Sequence, residues 1–215
     1  MPSALLIDLD DTLLDDRGSM ATSVLQFRQE HNLAKDEDDE SLVARWDETG
    51  RTLWRRLALG EVTFEEQRRL RLRQVFQLDL SDQDADALFA DYLTLYEKSW
   101  SLLPGAGEFL LATAHLPRVI LTNGRRQQAQ RKLEKCGLTS QFTGLVTPDD
   151  SGARKPDSRI FTYALNLLGV EACDALMIGD NFEADIKPAL ALGMKVFHVN
   201  PLEIGRSIQH ASGAA

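Results

Sequence analysis

The chain has little cysteine. Its two residues, Cys136 and Cys173, stand in no spacing that suits a metal site or a redox pair. A reduced, cytoplasmic compartment is the expectation. No stretch approaches the roughly 20 apolar residues of a membrane span. The N-terminus lacks the basic and then apolar pattern of a secretory leader. No membrane partner is expected. Basic charge is also short: 24 Lys and Arg stand against 33 Asp and Glu, a net charge of −9. Such a balance argues against nucleic acid as a partner. Repeats and low-complexity segments are absent. What remains is an ordinary globular mixture, 43% hydrophobic and 27% charged. Its 215 residues allow one α/β domain with an insertion, or two small domains.

The organising stretch is ALLIDLDDTLL, residues 4–14. Its apolar start, residues 4–7, suits a strand buried on both faces. Asp8, Asp10 and Asp11 follow at once. Extended backbone alternates its side chains, so Asp8 and Asp10 project to the same side. Two acids ending a buried strand repel each other and lose water. Mg²⁺, which takes one or two carboxylates and keeps several waters, is the simplest remedy. A solvated acidic turn after an edge strand is the plainer alternative.

Beyond Leu14 the pattern is helical. The charged run 36–40 reads as a solvated helix start or loop. Leu42, Trp46, Leu53, Trp54 and Leu57 follow at roughly helical spacing, with Gly60 as a stop. Thr63 and Glu66 have the form of a capping box. A further helix starts near Ser81, with Leu88, Tyr92 and Leu95 on one face. Leu103-Pro104-Gly105 is a turn. Residues 15–103 thus read as a helical module inserted into a core made of 1–14 and 104–215.

From Pro104 onward strands and helices alternate. Strands are expected at 119–121, 144–147, 175–178 and 195–199, separated by helices that run to Lys135, open at Lys155-Pro156-Asp157, and end at Leu192 before Gly193. Ile160, Phe161, Ala164, Leu165 and Leu168 form one apolar stripe. The tail after Ile208 reads as loose. This alternation predicts an α/β fold, a parallel sheet with helices on both faces.

Ligands of such sheets bind outside the carboxyl ends of the strands, where the polar residues of this chain collect. Thr122 and Asn123 offer a hydroxyl and amides that suit a phosphate oxygen, or simply end a strand. Lys155 supplies a point charge to phosphate, or is a surface lysine. Asp180 and Asp185 flank a strand-to-helix turn where a cation can sit, or favour a helix dipole.

The segments IDLDDT, LTNG, RKPD and GDNFEAD resemble, in order, the four motifs of the haloacid dehalogenase-like hydrolase superfamily. The insert resembles that family's helical cap. LWRRLALGEVTFEEQ and LLPGA are similar to the subgroup of pyrimidine nucleotidases and acylneuraminate phosphatases. The resemblance implies a Rossmann-like core and a Mg²⁺-dependent phosphatase for a small phosphate monoester, a nucleoside monophosphate or a sugar phosphate. It makes Asp8 the nucleophile and Asp10 the general acid and base. It assigns the metal to Asp8, Asp180 and the backbone carbonyl of Asp10, with Asp185 completing or orienting that shell. Thr122, the Asn123 amide and Lys155 would hold the phosphoryl group. Dehalogenases of the superfamily resemble this chain but lack the second acid. A phosphosugar mutase, or a regulatory protein that keeps the phosphoryl-aspartate site, is the alternative. Asp11 stands where many relatives have glycine, and the acidic loop 149–154 departs from the usual pattern. Trp46 and Trp54, near Arg45, Arg51 and Arg55, either pack inside the helical module or hold the leaving group. Oligomeric state is not legible.

Overall fold

A computed structural model describes residues 1–200; the stretch after Ile208 lies outside the described residues. The chain divides into two compact units. One comprises residues 1–16 with the segment from Trp100 onward, and the other comprises Arg17–Ser99.

The first unit is built on a five-stranded sheet in the order β3-β2-β1-β4-β5, all parallel. Its strands are β1 (Ala4–Ile7), β2 (Arg118–Leu121), β3 (Gly144–Val146), β4 (Ala175–Gly179) and β5 (Lys195–His198). β1 lies in the middle and all four of its residues are buried, as its unbroken apolar run requires. The chain builds outward from β1 through β2 to β3, then crosses back to add β4 and β5. That reversal creates a crevice at the carboxyl ends of β1 and β4, the ligand position of open α/β sheets.

Leu6, Val119, Leu121 and Met177 form one core with Ile160, Phe161, Ala164 and Leu165 of α8 (Ser158–Leu168), and with Ala189 of α9 (Lys187–Ala191). Fully burying each large apolar side chain contributes about 2 kcal/mol. α5 (Ala106–Ala112), α6 (Arg126–Lys135) and the short α7 (Pro148–Ser151) complete the unit. Where the chain leaves and re-enters, residues 13–15 pair with 101–103: Leu103 N–H donates to Leu13 O at 2.8 Å, and Asp15 N–H to Ser101 O at 3.0 Å.

The second unit contains α1 (Asp16–His31) beyond its first residue, α2 (Asp39–Ala58), α3 (Phe64–Phe76) and α4 (Asp82–Ser99). The capping box forms: Glu66 N–H donates to Thr63 Oγ1 at 3.1 Å, and Thr63 N–H to Glu66 Oε2 at 2.6 Å. Trp46 is fully buried among Phe76, Phe89 and Tyr92, and its Nε1 donates to Tyr92 Oη at 3.3 Å. Arg71 lays its guanidinium 4.3 Å from the Trp46 ring centre. A Cβ at Gly50 would meet that guanidinium at 2.6 Å, so this mid-helix glycine admits Arg71. On α4 the buried face is Ala85, Phe89, Tyr92, Leu95 and Tyr96. Phe89 takes the place expected of Leu88, which is half-buried, because its larger ring stacks on Trp46. Arg45 is held by Glu37 and by the carbonyl of Val75. Among the described residues no helix is long and apolar enough to cross a membrane.

Candidate active site

Asp8 continues β1 past Ile7, and its N–H donates to Ile178 O of the neighbouring β4 at 2.9 Å. That ladder bond places Asp8 beside Gly179 and Asp180, where β4 ends. The chain after β4 makes one wide turn, Phe182–Ile186, with π-type rather than α-type hydrogen bonding. A single helix from this point to Leu192 was expected; the extra residue in the turn swings Asp185 back over the strand end. A Cβ on Gly179 would lie 2.4 Å from Asp185 Oδ2. Glycine is therefore required there for Asp185 to reach its position.

Asp8, Asp180 and Asp185 each bring a carboxylate oxygen to within 4.8 Å of the others. Lys155 enters from the segment before α8. Its Nζ donates to Asp8 Oδ1 and to Asp185 Oδ1, both at 2.6 Å. Asp185 Oδ2 accepts the Asn181 N–H at 3.1 Å, and Thr12 Oγ1 donates to Asp8 Oδ2 at 3.3 Å. On β5, His198 Nε2 lies 2.8 Å from Asp180 O. A carbonyl only accepts, so that nitrogen carries the proton.

Thr122 continues β2, its N–H donating to Val146 O at 3.1 Å. Its hydroxyl accepts the Gly124 N–H at 3.0 Å, which leaves its proton to donate elsewhere. Asn123 uses its side chain differently from a direct phosphate contact. Its Nδ2 donates to Lys155 O at 2.9 Å, and its Oδ1 accepts the Lys155 N–H at 2.8 Å. The side-chain amide thus pins the backbone of Lys155. The acidic loop also has a structural account: Asp150 accepts from Thr147 N–H at 2.8 Å and pairs with Arg126.

Three carboxylates face one buried ammonium here, so negative charge is in excess. Burial pushes Asp8 up to about 6, with Asp185 adding to the rise and Lys155 opposing it. Burial works against the charge on Lys155, yet Asp8 and Asp185 hold its ammonium above the ordinary lysine range. A divalent cation would balance the excess. The donor set is all carboxylate oxygen, which suits a hard ion such as Mg²⁺.

Asp10 lies at the mouth, its side chain 35% open, and Lys132 of α6 donates to its Oδ1 at 2.5 Å. Loss of water raises its carboxyl above the usual range, and the Lys132 charge offsets this only in part. Asp11 adopts φ 56°, a left-handed conformation that glycine takes without steric cost.

Sequence reasoning gave Thr12 no role beyond its place in IDLDDT, and passed over Lys132. Thr12 carries a weak signal, since it stands in the same run as the acids. Lys132 carries a stronger one: it lies between Ala129 and Leu133 on the buried face of an otherwise polar helix. Of the two tryptophans, Trp46 is enclosed within its own unit and reaches no ligand. Trp54 is half-buried, edge-on to Phe64, and lines an open cleft of about 470 Å³ with Arg51 and Arg55.

A parallel sheet that gathers acids and a lysine at its switch point defines an α/β enzyme with a cation-seeking centre. The chain belongs to the haloacid dehalogenase-like hydrolases, whose family model matches residues 2–193. It is 32% identical over 221 residues to the ribulose-1,5-bisphosphate 5-phosphatase of Halopiger xanaduensis, a match covering 100% of this chain and 92% of that protein. It is 42% identical over 77 residues to the human N-acylneuraminate-9-phosphatase, covering 36% of this chain and 31% of that one. The crystal structure of the hydrolase YfnB of Bacillus subtilis bound to magnesium superposes with a TM-score of 0.79 at 26% identity, covering 93% of this chain and 89% of that one.

Proposed function

We propose that this hydrolase cleaves small phosphate monoesters, with a phosphorylated sugar as substrate, through a phosphoryl group carried on Asp8. The observation that carries the reading is the pairing of two acids with different surroundings. Asp8 is enclosed with Lys155 and two further carboxylates, while Asp10, two residues on, is open at the mouth. That is what a nucleophile and a proton-transfer group require.

Asp8 attacks phosphorus through its carboxylate, which Lys155 orients at Oδ1 and Thr12 at Oδ2. Asp10 gives a proton to the departing ester oxygen, then takes one from the water that hydrolyses the acyl phosphate. The Thr122 hydroxyl, the Asn123 backbone N–H and the Lys155 ammonium hold the phosphoryl oxygens, over which charge spreads in the transition state. Asp8, Asp180, Asp185 and the backbone carbonyl of Asp10 would hold Mg²⁺, which offsets the negative charge of nucleophile and phosphoryl group when bound. The presence of magnesium in YfnB supports that choice. The sugar is favoured because the relative matched along the whole chain, and the acylneuraminate enzyme, are both named for phosphorylated sugars.

The test is phosphate release from a panel of sugar phosphates and nucleoside monophosphates, with Mg²⁺ and with chelator, together with acid-quench mass measurement of a phosphorylated Asp8 peptide. Release that requires Mg²⁺, highest kcat/KM on a sugar phosphate, and the Asp8 adduct are expected. Turnover unaffected by chelator, or an Asp8→Asn variant that retains activity, would overturn the mechanism.

A further inference from the structure

Lys132 is a costly residue where it stands. Its side chain is 3% exposed and it lies on the buried face of α6, where Ala129 and Leu133 are its neighbours. Taking an ammonium out of water costs several kcal/mol unless partners replace the water, and a methionine would fill such a helix position without that cost. The partners are specific. Nζ donates to Asp10 Oδ1 at 2.5 Å and to Asp16 Oδ1 at 2.7 Å, with the Trp100 ring centre 5.5 Å away.

We propose that Lys132 is the positioning residue for Asp10, selecting which of its two oxygens serves the leaving group; this rests on the phosphatase reading above. An ammonium carries three donors and no acceptor. Oδ1 of Asp10 therefore remains an acceptor toward Lys132, and the proton destined for the ester oxygen is carried on Oδ2. Asp16 holds the ammonium from its other side and fixes the direction of the Asp10 bond. Lys132 thus differs in duty from Lys155, which serves Asp8 and Asp185.

A residue that only braced α6 would affect every substrate equally. One that orients Asp10 matters most when the leaving oxygen needs a proton. The experiment measures single-turnover phosphorylation of the Mg²⁺-loaded protein by an alkyl phosphate and by an activated dinitrophenyl phosphate. Wild type, Lys132→Met, Lys132→Arg and Asp16→Asn are compared. Lys132→Met is expected to slow the alkyl ester by about 10- to 100-fold, below the ~10²–10⁴ for removal of a general acid, and the activated ester by less than about threefold. Lys132→Arg should recover part of the alkyl rate. Asp16→Asn should show a weaker loss with the same selectivity. Equal slowing of both esters, or no slowing in a folded Lys132→Met, overturns the assignment. If Lys132→Met does not fold, Asp16→Asn decides by the same ratio: a selective loss supports the role and an equal loss, or none, overturns it. Failure of the phosphatase reading looks different: wild type itself then forms no phosphoryl-Asp8 from either ester, and this inference falls with it.

Discussion

Replacing Asp8 by asparagine tests whether the site is built for chemistry at the expense of stability. Burial and the neighbouring Asp185 raise the Asp8 carboxyl from 3.8 to about 6 in the folded chain, against the pull of Lys155. A rise of about two units, at 1.36 kcal/mol per unit, is a ceiling of about 3 kcal/mol against folding above pH 6. Asparagine removes that charge and keeps an oxygen that can accept from Lys155. The variant should therefore be more stable by about 1–3 kcal/mol in chelator at pH 7.5, a melting rise of about 2–12 °C for a chain of this length. The sign with pH follows from proton uptake. The folded state holds the Asp8 proton more tightly than the unfolded state, so this unfavourable contribution is complete above about pH 6 and vanishes below 3.8. The gap between variant and wild type should narrow as pH falls to 5. The same variant should have no turnover, since an amide does not attack phosphorus. Melting by circular dichroism in chelator at both pH values is the assay. A variant less stable than wild type at pH 7.5, or a gap unchanged at pH 5, refutes the reasoning.

Gly179→Ala should push Asp185 off the strand end, because the new Cβ would lie 2.4 Å from its Oδ2; titration should show a raised Mg²⁺ requirement for activity with the fold retained, and an unchanged requirement would count against the placement of Asp185. Trp46→Ala should cost about 3–5 kcal/mol in urea unfolding, the usual range for a buried aromatic. Trp54→Ala should cost about half that or less, since its ring is half-buried, and should lower kcat/KM for a sugar phosphate more than for a generic ester. Equal loss on both substrates would leave the Trp54 cleft without a role in recognition. Asp11→Ala should lose about 1 kcal/mol because φ 56° is left-handed, whereas Asp11→Gly should be near neutral; equal losses in thermal melts would exclude backbone conformation as the reason.

Local patterns determined much of this protein. The apolar run 4–7 ending in acids announced a buried central strand, and the Thr63–Glu66 pair announced a helix start, because each depends on residues a few positions apart. The seven residues singled out from the sequence, Asp8, Asp10, Thr122, Asn123, Lys155, Asp180 and Asp185, lie at or beside strand ends, since alternating strands and helices force a parallel sheet whose carboxyl ends share one edge. Contacts across long separations were decided only by the tertiary structure. Lys132 and Asp10 are 122 positions apart, and helical spacing shows a lysine on an apolar stripe without showing what it meets. Asn123 looked like a phosphate ligand, yet its side chain locks the backbone of Lys155, a partner 32 residues away. Trp46 and Trp54 share one helix and similar neighbours; only the packing of Phe76, Phe89 and Tyr92 around the first made it core and left the second half-open. Periodicity specifies which face of an element is apolar, whereas the identity of the group that covers it depends on how separate elements dock.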